Sequence, residues 1–147
     1  MNAVNFFTKE EKELIESAVA QAETNTSGEI RVHIENHCRE DVMDCAAWWF
    51  AKLKMHKTEL RNGVLFYLAV KDHKFAILGD AGINAVTGYD FWDRIKEVMA
   101  EEFSQQNFAE GLHKGILMAG EQLKEHFPYQ SDDVNELSDE ISFGDKS

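Results

Sequence analysis

Seven consecutive hydrophobic residues, Val64-Leu65-Phe66-Tyr67-Leu68-Ala69-Val70, constrain this chain more than any other feature. The run is far shorter than the roughly 20 residues that cross a bilayer. It lacks the alternation of a strand with one wet face, so it predicts a central strand covered on both sides. Such a strand needs helices above and below it, and the flanking sequence supplies them. Thr8 and Glu11 form a capping box ahead of Leu14, Ile15, Ala18, Val19 and Ala22, which recur at helical spacing to about Thr24. A second helix is expected from about Asp41 to Met55, with Val42, Ala46, Trp49, Phe50 and Leu53 on one stripe. A third runs from near Asp90 to about Ser104. A fourth opens at Asn107, aligns Leu112, Ile116, Ala119, Leu123 and Phe127, and stops at Pro128, the only proline.

Two further strands frame the apolar run. Glu29-Ile30-Arg31-Val32-His33-Ile34-Glu35 alternates strictly, with Ile30, Val32 and Ile34 on one face and Glu29, Arg31, His33 and Glu35 on the other. Lys71-Asp72-His73 is short enough to turn the central strand back into Lys74–Gly79 as a hairpin. The segment from Asp80 to Tyr89 reads as a loop. A helical crossover between strands is right-handed, so the first two strands run parallel and the hairpin partner antiparallel. The expected fold is α/β, a three-layer α/β/α sandwich with a mixed sheet in the order α-β-α-β-β-α-α. One domain covers residues 1–127. Residues 128–147, rich in Asp and Glu, are expected to form a partly mobile acidic tail whose Val134, Leu137, Ile141 and Phe143 can dock on the body.

Charge removes several classes of partner. Asp and Glu number 27 against 15 Lys and Arg, a formal net charge of −12. That balance excludes a nucleic-acid or anionic-membrane surface, which needs a basic patch. The opening residues lack the basic and long apolar regions of an export signal, so a monomer in the cytoplasm without membrane insertion is expected. Cys38 and Cys45 make no disulfide framework and read as small free hydrophobes. Together with His33 and His37 they match no closed zinc spacing. Trp48, Trp49 and Trp92 read as core and rim. Asp133-Val134-Asn135-Glu136 resembles the opening of an EF-hand loop, but Ser138 stands where that loop needs glycine.

The expected topology places chemistry at one sheet edge. The end of the third strand lies beside the beginnings of the other two, so Asp80 falls near Glu29 and near Arg61 and Asn62. Asp90 and Asp93 approach the same edge, whereas Asp72 and His73 fall on the opposite one. Glu29, Asp80, Asp90 and Asp93, with Asn62 and Asn84 as neutral oxygen donors and Arg31 and Arg61 as cations, form the candidate cluster. Oxygen-rich sets of this kind suit hard cations. Ordinary helix capping at Asp90 and Asp93, or a merely solvated acidic face, is the competing reading.

At these residues the sequence resembles the TPM phosphatase domain family, which includes thylakoid-lumen, photosystem-repair and bacterial envelope proteins. The resemblance rests on Ser27-Gly28-Glu29-Ile30-Arg31-Val32, on Arg61-Asn62-Gly63 and the apolar run after it, on Gly79-Asp80-Ala81-Gly82-Ile83, and on Phe108-Ala109-Glu110-Gly111-Leu112. It spans roughly Phe6 to Phe127. It implies an α/β/α fold, calcium binding and acid phosphatase activity, with Asp80 and its neighbours lining the site.

No common phosphatase signature is present: neither cysteine begins C-x5-R, and Asp-x-Asp-x-Thr and Arg-His-Gly are absent. Hydrolysis of a small phosphate ester would therefore use a bound ion, calcium or else magnesium or manganese. In that reading Asp80 is the principal ligand and Glu29 a second ligand or a base. Asn62 and Asp90 or Asp93 complete the shell, and Arg31 or Arg61 holds the phosphate. The alternative is a non-catalytic, calcium-stabilised module that binds an unidentified protein in membrane or envelope maintenance.

Overall fold

A computed structural model of the chain describes residues 2–88, 90–129 and 140–144. The EF-hand-like Asp133–Glu136 segment lies outside them. In chain order the elements are α1 (Ala3–Phe6), α2 (Lys9–Ala22), β1 (Glu29–Glu35), α3 (Val42–Lys52), a 3₁₀ turn (Met55–Lys57), β2 (Gly63–Ala69), β3 (Lys74–Gly79), α4 (Ala81–Thr87), α5 (Asp93–Ser104), α6 (Phe108–His126) and β4 (Ser142–Phe143). The sheet order is β3-β2-β1-β4. β1 and β2 run parallel from Glu29↔Gly63 to Glu35↔Ala69, and β2 and β3 antiparallel from Val64↔Gly79 to Ala69↔Lys74. The α/β/α sandwich with its mixed sheet is thus the fold of the chain.

β2 is buried at every residue, as its unbroken hydrophobicity requires. Val64, Phe66 and Leu68 join Ile30, Val32, Ile34 and Ile77 in the larger core, beneath α2, α5 and α6. Leu65, Tyr67, Ala69 and Ala76 face the smaller core, with Ala46 and Phe50 of α3 and Met55 of the 3₁₀ turn. Thr8 caps α2 through the expected box. Among the described residues no helix is long and apolar enough to cross a membrane.

Several elements differ from the sequence expectation. Residues after Asp80 form α4 rather than a loop, because the Asp80 side chain caps the helix by accepting from the Ala81 N–H. α5 begins at Asp93, three residues after the expected start. α3 ends at Lys52, and Lys54 turns the chain with a left-handed φ of 59°. The short α1 is tied to the end of β1 by the Ala3 N–H donating to Asn36 Oδ1 at 2.6 Å.

Beyond Pro128, Ser142 and Phe143 add β4 to the free edge of β1, with Ile141 buried beside it. Cys38 and Cys45, expected as free thiols, are joined in a disulfide with Cα atoms 6.2 Å apart. The α3 helix folds back over the strand end and brings Cys45 onto the loop that carries Cys38, a proximity that no spacing rule encodes. Such bonds persist in oxidising compartments, so the expected cytoplasmic residence draws no support from it.

Candidate functional site

The corner predicted at the start of the sheet is present. Glu29, Gly63 and Asp80 lie in one row across β1, β2 and the end of β3. The Glu29 N–H donates to Asn62 O (3.3 Å) and the Asp80 N–H to Gly63 O (3.0 Å). Gly63 has no side chain, so nothing projects between the two acids in that row. Glu29, Asn62 and Asp80 are 3%, 2% and 6% exposed, a burial that acids and amides rarely reach without partners.

Arg61 is the partner of Asp80. Its Nε donates to Oδ2 at 2.7 Å and its Nη2 to Oδ1 at 2.8 Å, a bidentate clamp in which each charge strengthens the other's hydrogen bonds. Asp80 raises the Arg61 pKa above its ordinary value, chiefly through those bonds. Local backbone geometry builds the clamp. Arg61 takes a left-handed φ of 53°, and the Gly82 N–H donates to Arg61 O at 2.8 Å. A Cβ on Gly82 would fall 2.2 Å from Leu60 O and 2.6 Å from Arg61 O, so only glycine lets α4 seat this closely.

The remaining predicted residues are arranged differently. Asp90 and Asp93 are exposed at the entrance to α5, where the Asp93 N–H donates to Asp90 O. Asn84 is exposed on α4 and its amide reaches Gly79 O at 3.5 Å. Among the described residues, no three or more His, Cys, Asp or Glu side chains converge as a metal cluster. The structure therefore joins Glu29, Asn62, Asp80 and Arg61 but leaves the two helix-entrance aspartates apart. Gly79, just before Asp80, also borders a cavity of about 470 Å³ that Asn84, Trp92 and Lys96 help to line.

Arg31 and His33 lie on the polar face of β1, where Arg31 is half-buried and Trp49 of α3 covers His33. Burial pushes the Arg31 guanidinium below its ordinary pKa, with Glu140 opposing, and its buried Nε has no hydrogen-bond partner among the described residues. His33 is fully buried and stacks on Trp49, with ring centroids 3.8 Å apart. Its Nδ1 lies 3.0 Å from Ser142 Oγ and its Nε2 3.4 Å from Glu35 Oε2. Burial, and then the Arg31 charge, lower the His33 pKa to about 3.

The unfolded imidazole takes its proton near pH 6.5 and the folded one does not. The stability this difference supplies is complete above about pH 6.5 and is lost as pH falls toward 3. In an NMR titration the His33 ring resonances are therefore expected to stay in their neutral positions down to pH 4. A midpoint near 6 would show that the ring is hydrated.

The sequence reading missed Thr58. It is 4% exposed, its buried Oγ1 has no hydrogen-bond partner among the described residues, and its carbonyl accepts from the Arg61 N–H at 3.3 Å. The available signal was the polar pair Thr58-Glu59, one residue ahead of Arg61 and Asn62, which reads as an ordinary turn.

The family model of the TPM domain matches residues 1–122. Among solved structures, the BA42 protein of the psychrophilic bacterium Bizionia argentinensis is 48% identical, with a TM-score of 0.89, covering 95% of this chain and 97% of that one. The N-terminal domain of a P. gingivalis protein is similar in fold at 17% identity and TM-score 0.70, covering 86% and 83% of the two chains. The N-terminal domain of the cg2496 protein of Corynebacterium glutamicum does so at 13% and 0.64, covering 80% and 74%. A comparison with curated proteins finds no match. With four-fifths of its length matched by the family model and a near-half-identical relative sharing its fold, the chain belongs to the TPM domain family.

Proposed function

We propose that the chain is a divalent-cation-binding domain with a weak, metal-dependent acid phosphatase activity. One observation carries this reading: Glu29, Asn62 and Asp80 bury hard oxygen donors in one corner, and a cation, the Arg61 guanidinium, already sits on Asp80. The donor set fits calcium, with magnesium or manganese as alternatives. Glu29, Asn62 and Asp80 would hold the ion, which supplies Lewis-acid polarisation of a phosphoryl oxygen. Arg61 is half-exposed, so its guanidinium can leave Asp80 and take two oxygens of a small phosphate ester in the same bidentate manner. Glu29, on β1, would serve as a second ligand or else as the base. Lys96 and Trp92 in the adjoining cavity would receive the organic part of the ester.

A second reading, a calcium-stabilised interaction module without turnover, is favoured by the engagement of Arg61, whose Nε and Nη2 both donate to Asp80 and not to a phosphate. Thermal melts in EDTA, with calcium, magnesium and manganese titrated back, run beside hydrolysis of a generic phosphomonoester, separate the two. An ion at 100 times its Kd is expected to stabilise the domain by about 2.7 kcal/mol. Glu29→Gln and Asp80→Asn are each expected to abolish that stabilisation and the turnover together. Stabilisation without turnover assigns the module, and a melt indifferent to every ion rejects both readings.

A further inference from the structure

The opposite end of β1 carries a feature that the Asp80 corner does not use. A cavity of about 380 Å³ opens there, between the strand end and α3. Trp48, Trp49 and Tyr67 supply aromatic wall, and Glu35 and Glu40 supply carboxylates. The two indoles meet at 80° with centroids 5.1 Å apart, so they form a corner rather than a stack. Trp49 is locked by its stacking on His33. The Cys38–Cys45 disulfide forms another part of the wall and ties the loop to the helix. The Trp49 and disulfide side of the site is therefore held before any ligand arrives, which lowers the ordering cost of binding. Trp48 is 58% exposed and available from solvent.

We propose that this cavity binds an organic ammonium ion of the choline or methylated-amine class. Aromatic faces meeting at an angle attract such cations through their quadrupoles, and nearby carboxylates add charge attraction. A methylated ammonium carries apolar surface that suits the indoles, whereas a bare ammonium holds its water strongly. The chain already uses Trp48 this way, because the Lys52 ammonium lies 5.4 Å from its ring centroid without lining the cavity. The field at the Tyr67 wall has the matching sign. Beyond the effect of burial, Glu35, Asp72 and Glu40 all raise the Tyr67 phenol above its ordinary pKa. Of the two basic residues on the wall, His37 is engaged by Asp72 at 3.0 Å and Arg39 is exposed. This inference does not depend on the metal reading.

The test titrates choline into the full chain at constant ionic strength, following the indole N–H resonances of Trp48, Trp49 and Trp92 by NMR. The neutral isostere 3,3-dimethylbutanol is titrated in parallel. Saturable shifts of Trp48 and Trp49, with Trp92 still, are expected for choline. The isostere is expected to bind about tenfold more weakly, the scale of one desolvated cation–π contact. Trp48→Ala is expected to weaken choline about tenfold, Trp48→Phe to recover part of the loss, and Glu40→Gln to weaken it without moving the melting temperature. Equal binding of the isostere would overturn the proposal in favour of a plain apolar pocket. No saturable shift in the millimolar range, or a Trp48→Ala protein that folds and binds choline unchanged, would overturn it outright.

Discussion

Truncating Phe66 to alanine is expected to destabilise the domain by about 3–5 kcal/mol, a large part of the 5–15 kcal/mol that holds a domain together. Phe66 sits at the middle of β2, fully buried, between Val32 on β1 and Ile77 on β3. Its ring reaches α6, where a Cβ on Gly115 would lie 3.4 Å from Phe66 Cε2 and 2.5 Å from Met99 Sδ. Met99 of α5 thus already fills the space beside Gly115, and the helices cannot slide in to close the void. The loss therefore combines lost transfer energy with a persistent cavity. In urea unfolding the midpoint is expected to fall while the slope stays constant. Leu60→Ala, at a residue 46% exposed, serves as the control and is expected to change stability by less than about 0.5 kcal/mol. Similar losses at both positions would contradict the covered central strand.

Removing Arg61 is expected to have the second largest effect and to test the corner chemically. Arg61→Ala takes two charge-assisted bonds from Asp80 and leaves a carboxylate 6% exposed with only the Ala81 N–H. Uncompensated burial of that charge is expected to lower stability by about 2–4 kcal/mol when measured in EDTA. Because Arg61 is half-exposed, the deleted guanidinium gains nothing from leaving a buried site. Two readouts then diverge under the proposed function. Calcium loses a competitor for Asp80 and is expected to bind the variant more tightly and restore much of its stability. Phosphomonoester turnover is expected to fall, because the group assigned to hold the phosphate is gone. A variant that calcium does not stabilise would show that Asp80 and Arg61 form a structural clamp alone.

Much of this architecture was legible in the chain because it rests on periodicity. The uninterrupted run from Val64 to Val70 demanded cover on both faces. The strict alternation from Glu29 to Glu35 set the inward register of β1, and the short Lys71–His73 link forced a hairpin. From those three segments the convergence of Glu29, Asn62 and Asp80 followed by topology, since strand direction alone decides which ends share an edge. The α4 helix was not legible, because Asp80, Gly82 and Gly88 carry loop chemistry locally. It forms because Asp80 caps it and Gly82 packs on the Leu60 and Arg61 carbonyls.

The polar face of β1 marks the boundary between the two kinds of information. Sequence alone determined the two-faced strand, the covered central strand and the row that carries the acids, because each is a property of neighbours along the chain. Only the tertiary structure decided that Trp49 of α3 covers His33, that Cys38 meets Cys45, that Ser142 and Phe143 close the β1 edge, and that Asp80 binds Arg61 while Asp90 and Asp93 stay outside. Each of those depends on where a helix or strand packs in space. That placement is set by the sum of many weak contacts between residues distant in sequence, and no single spacing records it.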